Sequence, residues 1–486
     1  MPMKHSWNKE DSSFRSANLI YPEVNPEVLD RPRDECGVFG IASPQDNVAQ
    51  MTFLGLHALQ HRGQESAGMA VSDGINMKIH KGMGLVTQVF NNVIIANLQG
   101  DYAIGHTRYS TTGKSCLSNA QPFQIETRHG PLAVAHNGNL INTGALRKDL
   151  LKRGIGLTST SDSEVMTLML AGAPGVEWID CIDHCMQIWK GAYALVVLTQ
   201  NGLFAARDPW GIRPLTIGQL PDRGHAVASE TGALETIGCN AIREIKPGEV
   251  ISIRDAALIV HQAVPPANPS ALCTFEQIYF SRPDSIWDGD VVHDIRQRLG
   301  RQLAIEAPVD AEVVIPVPDS SIPAALGYSA ESGIPYNTGL IKNRYIGRTF
   351  IQPSQNIRER DVDMKFNPLP TVLKDKSVIV IDDSIVRGTT IKHLVTILRD
   401  AGASKVHLRI TCPPIRHPCH MGVDMPTYDE LIAHRSSVPE IQKILGADSL
   451  HYLSLEGMMK SINSNSGYCN ACFTGNYPFE IARHQS

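Results

Sequence analysis

The stretch Val378-Ile379-Val380-Ile381-Asp382-Asp383-Ser384-Ile385-Val386-Arg387-Gly388-Thr389-Thr390 decides how this chain is read. The branched apolar run Val378 to Ile381 predicts a strand buried on both faces, as in a parallel sheet. Two adjacent carboxylates, Asp382 and Asp383, close that strand. A loop with a glycine and hydroxyls follows, and Ile391 to Arg399 has the pattern of a helix that stops near Gly402. In an open α/β sheet, ligands gather at the carboxyl ends of the strands. A tight loop opening a helix turns backbone N–H groups toward an anion such as phosphate. The acid pair repels that phosphate and suits ribose hydroxyls or a metal ion instead. The plain reading is a strand, a polar turn and a helix; the sharper one is a loop that holds both ends of a 5-phosphorylated ribose.

The chain has 486 residues, enough for two or three domains. A 42% hydrophobic and 19% charged composition is that of a soluble globular protein. A net charge of -5 implies no broad affinity for nucleic acid. No apolar run approaches the roughly 20 residues of a membrane helix. Ten cysteines spread over this length do not make a secreted disulfide scaffold, which points to a reducing, cytoplasmic setting. Residues 1–35 are polar, carry Pro22, Pro26 and Pro32, and lack both the apolar region of a signal peptide and the acid-poor composition of a transit peptide.

The 378–390 stretch closely resembles the signature of type I phosphoribosyltransferases, which bind phosphoribosyl pyrophosphate (PRPP). That resemblance assigns Asp382, Asp383, Ser384, Arg387, Gly388, Thr389 and Thr390 to PRPP binding. Upstream, Val313 to Val317 reads as a second strand, with Pro318-Asp319-Ser320-Ser321 after it and a helix beginning near Pro323. This turn is expected to hold the pyrophosphate and one Mg²⁺ per subunit, with Ser320, Asp382 and Asp383 on the metal side. Lys342-Asn343-Arg344-Tyr345-Ile346-Gly347-Arg348 is a surface loop on the plain reading. Its cations and glycine also suit a lid that closes over a polyanion and shields a reactive centre from water. On that reading Lys342 and Arg344 neutralise the leaving pyrophosphate, with Arg387 helping, and Tyr345 covers the anomeric carbon.

The first half carries a different set. Cys36 opens the apolar run Gly37-Val38-Phe39-Gly40-Ile41. Then come His61-Arg62-Gly63-Gln64-Glu65-Ser66, Gly105-His106-Thr107-Arg108-Tyr109, His136-Asn137-Gly138-Asn139 and Ser161-Asp162-Ser163-Glu164, separated by apolar strands such as Tyr193 to Leu198. Singly these are a core cysteine, a hairpin turn and an ion pair. In this order they resemble the glutaminase domain of class II glutamine amidotransferases, which are N-terminal-nucleophile hydrolases. The implied nucleophile is Cys36 as the first residue of the mature chain, with residues 1–35 a propeptide. A thiol needs a base, and an α-amine with a pKa near 8 is a suitable one. The resemblance further implies an oxyanion hole from Asn137 and Gly138. It gives Arg108 to the α-carboxylate of glutamine and Asp162 to its α-ammonium. Arg207-Asp208-Pro209-Trp210-Gly211-Ile212-Arg213-Pro214 also fits that domain and is assigned a scaffold role.

Joined, the halves resemble the amidophosphoribosyltransferase family. The implied architecture is an N-terminal α+β N-terminal-nucleophile αββα sandwich over residues 36–255 and a C-terminal α/β type I phosphoribosyltransferase over 256–486, with Val264 to Ser270 at the junction. The implied activity makes 5-phosphoribosylamine, pyrophosphate and glutamate from glutamine, PRPP and water, with ammonia passed internally. Purine nucleotides are expected as feedback inhibitors and a homotetramer as the assembly. The competing readings are a non-catalytic PRPP-binding regulator and another class II amidotransferase.

The cysteine segment Tyr468-Cys469-Asn470-Ala471-Cys472-Phe473 resembles the iron–sulfur-bearing branch of the same family, which uses four cysteines for a [4Fe–4S] cluster. Cys419, Cys469 and Cys472 fall on three ligand positions. The fourth is expected just after Ser229-Glu230-Thr231, where Gly232 stands. Cys239 becomes the candidate if Gly232 to Cys239 is helical, and Cys412 is another. A non-cysteine fourth ligand, or no cluster, are the remaining options.

Overall fold

The computed structural model describes residues 36–44, 47–109, 115–221, 223–254, 257–343, 366–425, 427–462 and 467–481. The expected propeptide and the expected lid residues Arg344 and Tyr345 lie outside them.

The alternating apolar pattern of the first half resolves into β1 (Gly37–Ala42), β2 (Ser66–Ser72), β3 (Met77–Met83), β4 (Tyr102–Arg108), β5 (Phe123–Thr127), β6 (Gly130–Leu140), β7 (Gly191–Thr199), β8 (Gly202–Arg207), β9 (Thr216–Gln219), β10 (His225–Ala228), β11 (Asn240–Glu244), β12 (Glu249–Arg254) and β13 (Ala257–Gln262). They form two antiparallel sheets, in the orders β11-β9-β10-β1-β4-β2-β3 and β13-β12-β8-β7-β6-β5. Strand periodicity of two divides each strand between two cores. Along β1, Val38 and Ala42 pack between the sheets with Ile104, Val196 and Ile251. Phe39 and Ile41 face the other way, with Leu56 of the helix Val48–Ala58. On the far side, Tyr193 and Phe204 meet Met166 and Cys181 of the helices Asp162–Gly172 and Trp178–Met186. The result is a helix–sheet–sheet–helix sandwich.

The second half forms a parallel sheet ordered Val313–Pro316, Ser377–Asp382, Lys405–Ile410, Ser449–Tyr452. Val378 to Ile381 are fully buried at its centre. The helix Thr389–Asp400 buries Ile391, Leu394, Val395 and Leu398, an i, i+3, i+4, i+7 stripe, against it. Ala192 and Ile212 of the first half belong to the core of the second, so the halves share buried apolar contact.

A polar knot also joins them. The Arg62 guanidinium sits between Glu230 and Glu276, and all three side chains have 0% exposure. Ser281 accepts from Arg62 and donates to Glu276, while Ser285 donates to Glu230.

The structure decides two alternatives that the sequence left open. Asn137-Gly138 is not a hairpin turn; both residues lie within β6, paired with Ala194 and Tyr193. The helix after Glu230 runs only Thr231–Thr236, and the left-handed Gly238 follows, so Cys239 is not on it. Among the described residues no helix is long and apolar enough to cross a membrane.

Candidate active sites and a cysteine cluster

Cys36 immediately precedes β1. The pairing of Gly37 with Thr107 sets it beside the end of β4 and hence beside Arg108 and Tyr109. One pocket is lined by Cys36, Arg108, Gly138 and Asp162, together with Gln121, His136 and Ser163. The Cys36 thiol donates to the Tyr109 carbonyl at 3.4 Å. Burial pushes this thiol up to about 11, so near neutral pH it is protonated and needs a base to become a nucleophile.

Gly138 has φ +139°, and a Cβ there would stand 2.0 Å from the Ala192 carbonyl oxygen, so the position accepts only glycine. Next to it the Asn137 side-chain nitrogen is buried with no hydrogen-bond partner among the described residues. An unpaired buried donor is costly, about 1–3 kcal/mol, and an anionic oxygen in the pocket is a partner for it. Asp162 opens its helix and accepts from the Leu140 N–H at 3.0 Å. Arg108 is buried and lies 3.4 Å from the Glu65 carboxylate. Sequence reasoning named Cys36, Arg108, Asn137, Gly138 and Asp162. It gave no role to Gln121, His136 or Glu65. Burial keeps the His136 imidazole below its usual range, hence neutral.

The second site stands at the carboxyl end of the parallel sheet. Asp382 and Asp383 are almost fully buried. Ser320 donates to Asp383 at 2.6 Å and Ser321 to Asp382 at 3.2 Å, so the two strand-to-helix turns interlock. Ser384 donates to Asp383 at 2.8 Å. Gly388 caps the helix that Thr389 and Thr390 begin. Lys342 reaches this rim and pairs with Asp319 at 3.0 Å, and Arg387 pairs with Glu430 at 2.7 Å. Arg296, which the sequence did not single out, is buried nearby and donates to the Gln277 and Ser281 carbonyls. Its burial lowers its pKa to about 10 against the opposing pull of Asp383.

The structure corrects the cysteine assignment. Cys239 is buried in the core between the seven-stranded sheet and its helix, away from the C-terminal cysteines. Gly232 faces Arg282 and Asp284 and has no side chain to offer as a ligand. Instead Cys273 stands opposite Cys469 in a short parallel ladder. Burial raises the Cys273 thiol, and Cys469 and Cys419 are among the charges that act on it. Burial also raises Cys472, with Cys273, Cys469 and Cys419 acting on it in turn. Four thiols thus converge from three separate segments. Cys412 lies between this group and the acid pair, and burial raises it too. Among the described residues no three His, Cys, Asp or Glu side chains converge on a single-ion site. A four-iron cluster spreads its thiolates wider than one ion does.

A glutamine amidotransferase domain model matches residues 106–236, and a phosphoribosyl transferase domain model matches residues 293–426. The chain is 51% identical to an amidophosphoribosyltransferase from Synechococcus elongatus, covering 94% of each chain. It is 48% identical to one from Methanocaldococcus jannaschii, covering 92% of this chain and 98% of that one. Among solved structures it resembles a glutamine PRPP amidotransferase from B. subtilis complexed with ADP and GMP, with TM-score 0.87 and 47% identity over 92% of this chain and 98% of that one. With near-complete coverage by relatives of one kind, and both domains accounted for, this chain belongs to the amidophosphoribosyltransferase family, the glutamine-dependent transferases that open purine biosynthesis.

Proposed function

We propose that residues 36–255 form the glutaminase and residues 256–486 the phosphoribosyltransferase, and that the residues described above carry the two half-reactions. In the first, the α-amine of Cys36, freed by removal of residues 1–35, takes the thiol proton. The thiolate then attacks the glutamine amide carbon. Arg108 holds the α-carboxylate through its planar fork, releasing Glu65 to do so, and Asp162 holds the α-ammonium. The Asn137 side-chain N–H and the Gly138 N–H donate to the oxyanion; such a donor is worth about 3–4 kcal/mol in the transition state. Ammonia leaves, and water hydrolyses the Cys36 thioester to give glutamate.

In the second, Asp382 and Asp383 take the ribose hydroxyls and the loop Ser384–Thr390 takes the 5-phosphate. Lys342, Arg344 and Arg387 balance the charge of the pyrophosphate, and Tyr345 covers the anomeric carbon. Ammonia, passed inside the protein, attacks C1 as pyrophosphate departs. The donors on the acid-pair side are all oxygens, which suits magnesium, an ion usually bound by one or two carboxylates together with substrate phosphates. One Mg²⁺ per subunit, held by Asp382, Asp383 and the Ser320 side, supplies charge neutralisation of the leaving group.

The grouping of Cys273, Cys419, Cys469 and Cys472, two of them buried and two partly buried, fits all-thiolate ligation of a [4Fe–4S] cluster. When bound, such a cluster would supply a cross-link between three segments of the second half, since no step of this reaction moves electrons. The B. subtilis relative was solved with ADP and GMP; purine nucleotides, which carry a ribose 5-phosphate, are accordingly proposed as feedback inhibitors on the PRPP loop. A homotetramer is the proposed assembly.

The observation that carries the glutaminase assignment is the buried Asn137 side-chain nitrogen, without a partner among the described residues, next to Gly138, which lines one pocket with Cys36. The test is PRPP-dependent glutamate release by the purified protein, with its N-terminal residue determined in the same sample. Activity in a chain that keeps residues 1–35 contradicts the Cys36 mechanism.

A further inference from the structure

The strand that carries Gly138 of the glutaminase pocket is backed by a piece of the other half. After the strand Lys405–Ile410 the chain makes a long excursion before the helix that starts at Ile432. Within it, the buried residues Met421 and Gly422 press against the end of β6. The Asn139 side-chain amide donates to the His420 carbonyl at 2.9 Å. A Cβ on Gly422 would stand 3.1 Å from the Gly138 carbonyl carbon and 3.2 Å from its Cα, so only a glycine lies there without pushing on the neighbouring strand. From the other side, Arg213, fully buried, donates its Nε to the Met421 carbonyl at 3.0 Å, and its Nη2 donates to the same oxygen. This gives the scaffold role assigned to the Arg207–Pro214 motif a specific content at its last arginine. The far end of the excursion returns to the PRPP loop: Arg387 pairs with Glu430, and the Ile432 N–H donates to the Val386 carbonyl at 2.9 Å.

We propose that Asn139 is a positioning residue and that the His420–Gly422 turn, anchored by Arg213, sets the oxyanion hole of the glutaminase. This rests on the assignment of Asn137 and Gly138 as that hole. Asn139 is not among the residues that line the pocket. It ties the strand that carries Asn137 and Gly138 to a fixed carbonyl of the second half, so the aim of both donors depends on the second half being in place. Misplacement of a donor by about 1 Å costs on the order of 100-fold in rate, so a lost tie is expected to lower turnover rather than binding.

The test uses the full mature chain with Asn139→Asp, which keeps the shape but turns a donor into an anion facing a carbonyl, and Gly422→Ala, which pushes on Gly138. The expected result is a fall of about tenfold or more in kcat for glutamine hydrolysis, with glutamine KM within about threefold of the parent. The rate at which iodoacetamide alkylates Cys36 should be unchanged, because alkylation forms no oxyanion. Ammonia-dependent synthesis should be kept, which also reports that the variants fold. If Asn139→Asp does not fold, Gly422→Ala carries the test. Hydrolysis kcat within about twofold of the parent in the folded variants overturns the proposal, as does an alkylation rate that falls in step with kcat. Asn137→Ala is run alongside: undiminished hydrolysis there shows instead that the oxyanion-hole assignment has failed.

Discussion

Cys273 stands opposite Cys469 in register, one from the segment that joins the two halves and the other from the C-terminal segment. That pairing sets a thiol of the junction beside Cys419, Cys469 and Cys472. Cys273→Ser in anaerobically prepared protein is therefore expected to lose most of its iron and sulfide, whereas Cys239→Ser should keep them, because Cys239 lies in a different core. Iron and sulfide counted per chain decide it. Normal iron in Cys273→Ser, or iron-free parent protein that is fully active, refutes the cluster assignment.

Cys36→Ala should abolish glutamine-dependent synthesis and leave ammonia-dependent synthesis within about twofold, since only the first half-reaction needs a thiolate. Product formation with each nitrogen donor, at saturating PRPP, is the measurement. A variant that still uses glutamine at a near-parental rate removes Cys36 from the mechanism.

Asp382→Asn with Asp383→Asn should remove synthesis from both donors. On the proposed roles the two acids act on the shared acceptor, and Ser320 and Ser321 tie them to the opposite turn, so both their charge and their placement are expected to matter. Turnover with ammonia at an unchanged apparent PRPP affinity is the result that contradicts this.

The parts legible in the sequence were the local ones. The 378–390 stretch contains its own strand, loop and helix start, and the structure gives a strand at Ser377–Asp382 and a helix at Thr389–Asp400. The pocket motifs around Cys36, Arg108, Gly138 and Asp162 were legible through their order, although each alone was ambiguous. Cys273 was not legible, because its partner in the ladder is Cys469, far along the chain, and no spacing rule reaches that distance. The extrapolation to Cys239 failed for a local reason: the helix ends at Thr236. Arg62 was visible only as part of a motif, since Glu230 and Glu276 come to it from two other segments.

That buried knot gives a stability prediction with a defined pH dependence. Arg62, Glu230 and Glu276 are each 0% exposed at the side chain, so removing the cation leaves two carboxylates buried without their shared partner. Breaking a buried pair in this way typically costs about 3–5 kcal/mol. Arg62→Met, which keeps the apolar bulk, is expected to lower the unfolding midpoint by several degrees at pH 7. The sign of the pH effect follows from Glu230. Burial alone would raise its pKa, but the charges of Arg62 and His61 more than offset burial and hold it well below the ordinary carboxylate range. A depressed folded pKa contributes stability that is present above the unfolded value, near 4.3, and is lost as the pH falls below it. In Arg62→Met burial acts with less opposition, so protonating Glu230 becomes favourable in the folded state. The gap in midpoint between parent and variant should therefore be widest near pH 7 and narrow toward pH 4. Thermal unfolding of both proteins at pH 7, 5.5 and 4 measures it. A gap that stays constant or widens toward acid shows that the loss comes from packing around Arg62 rather than from the stranded carboxylates.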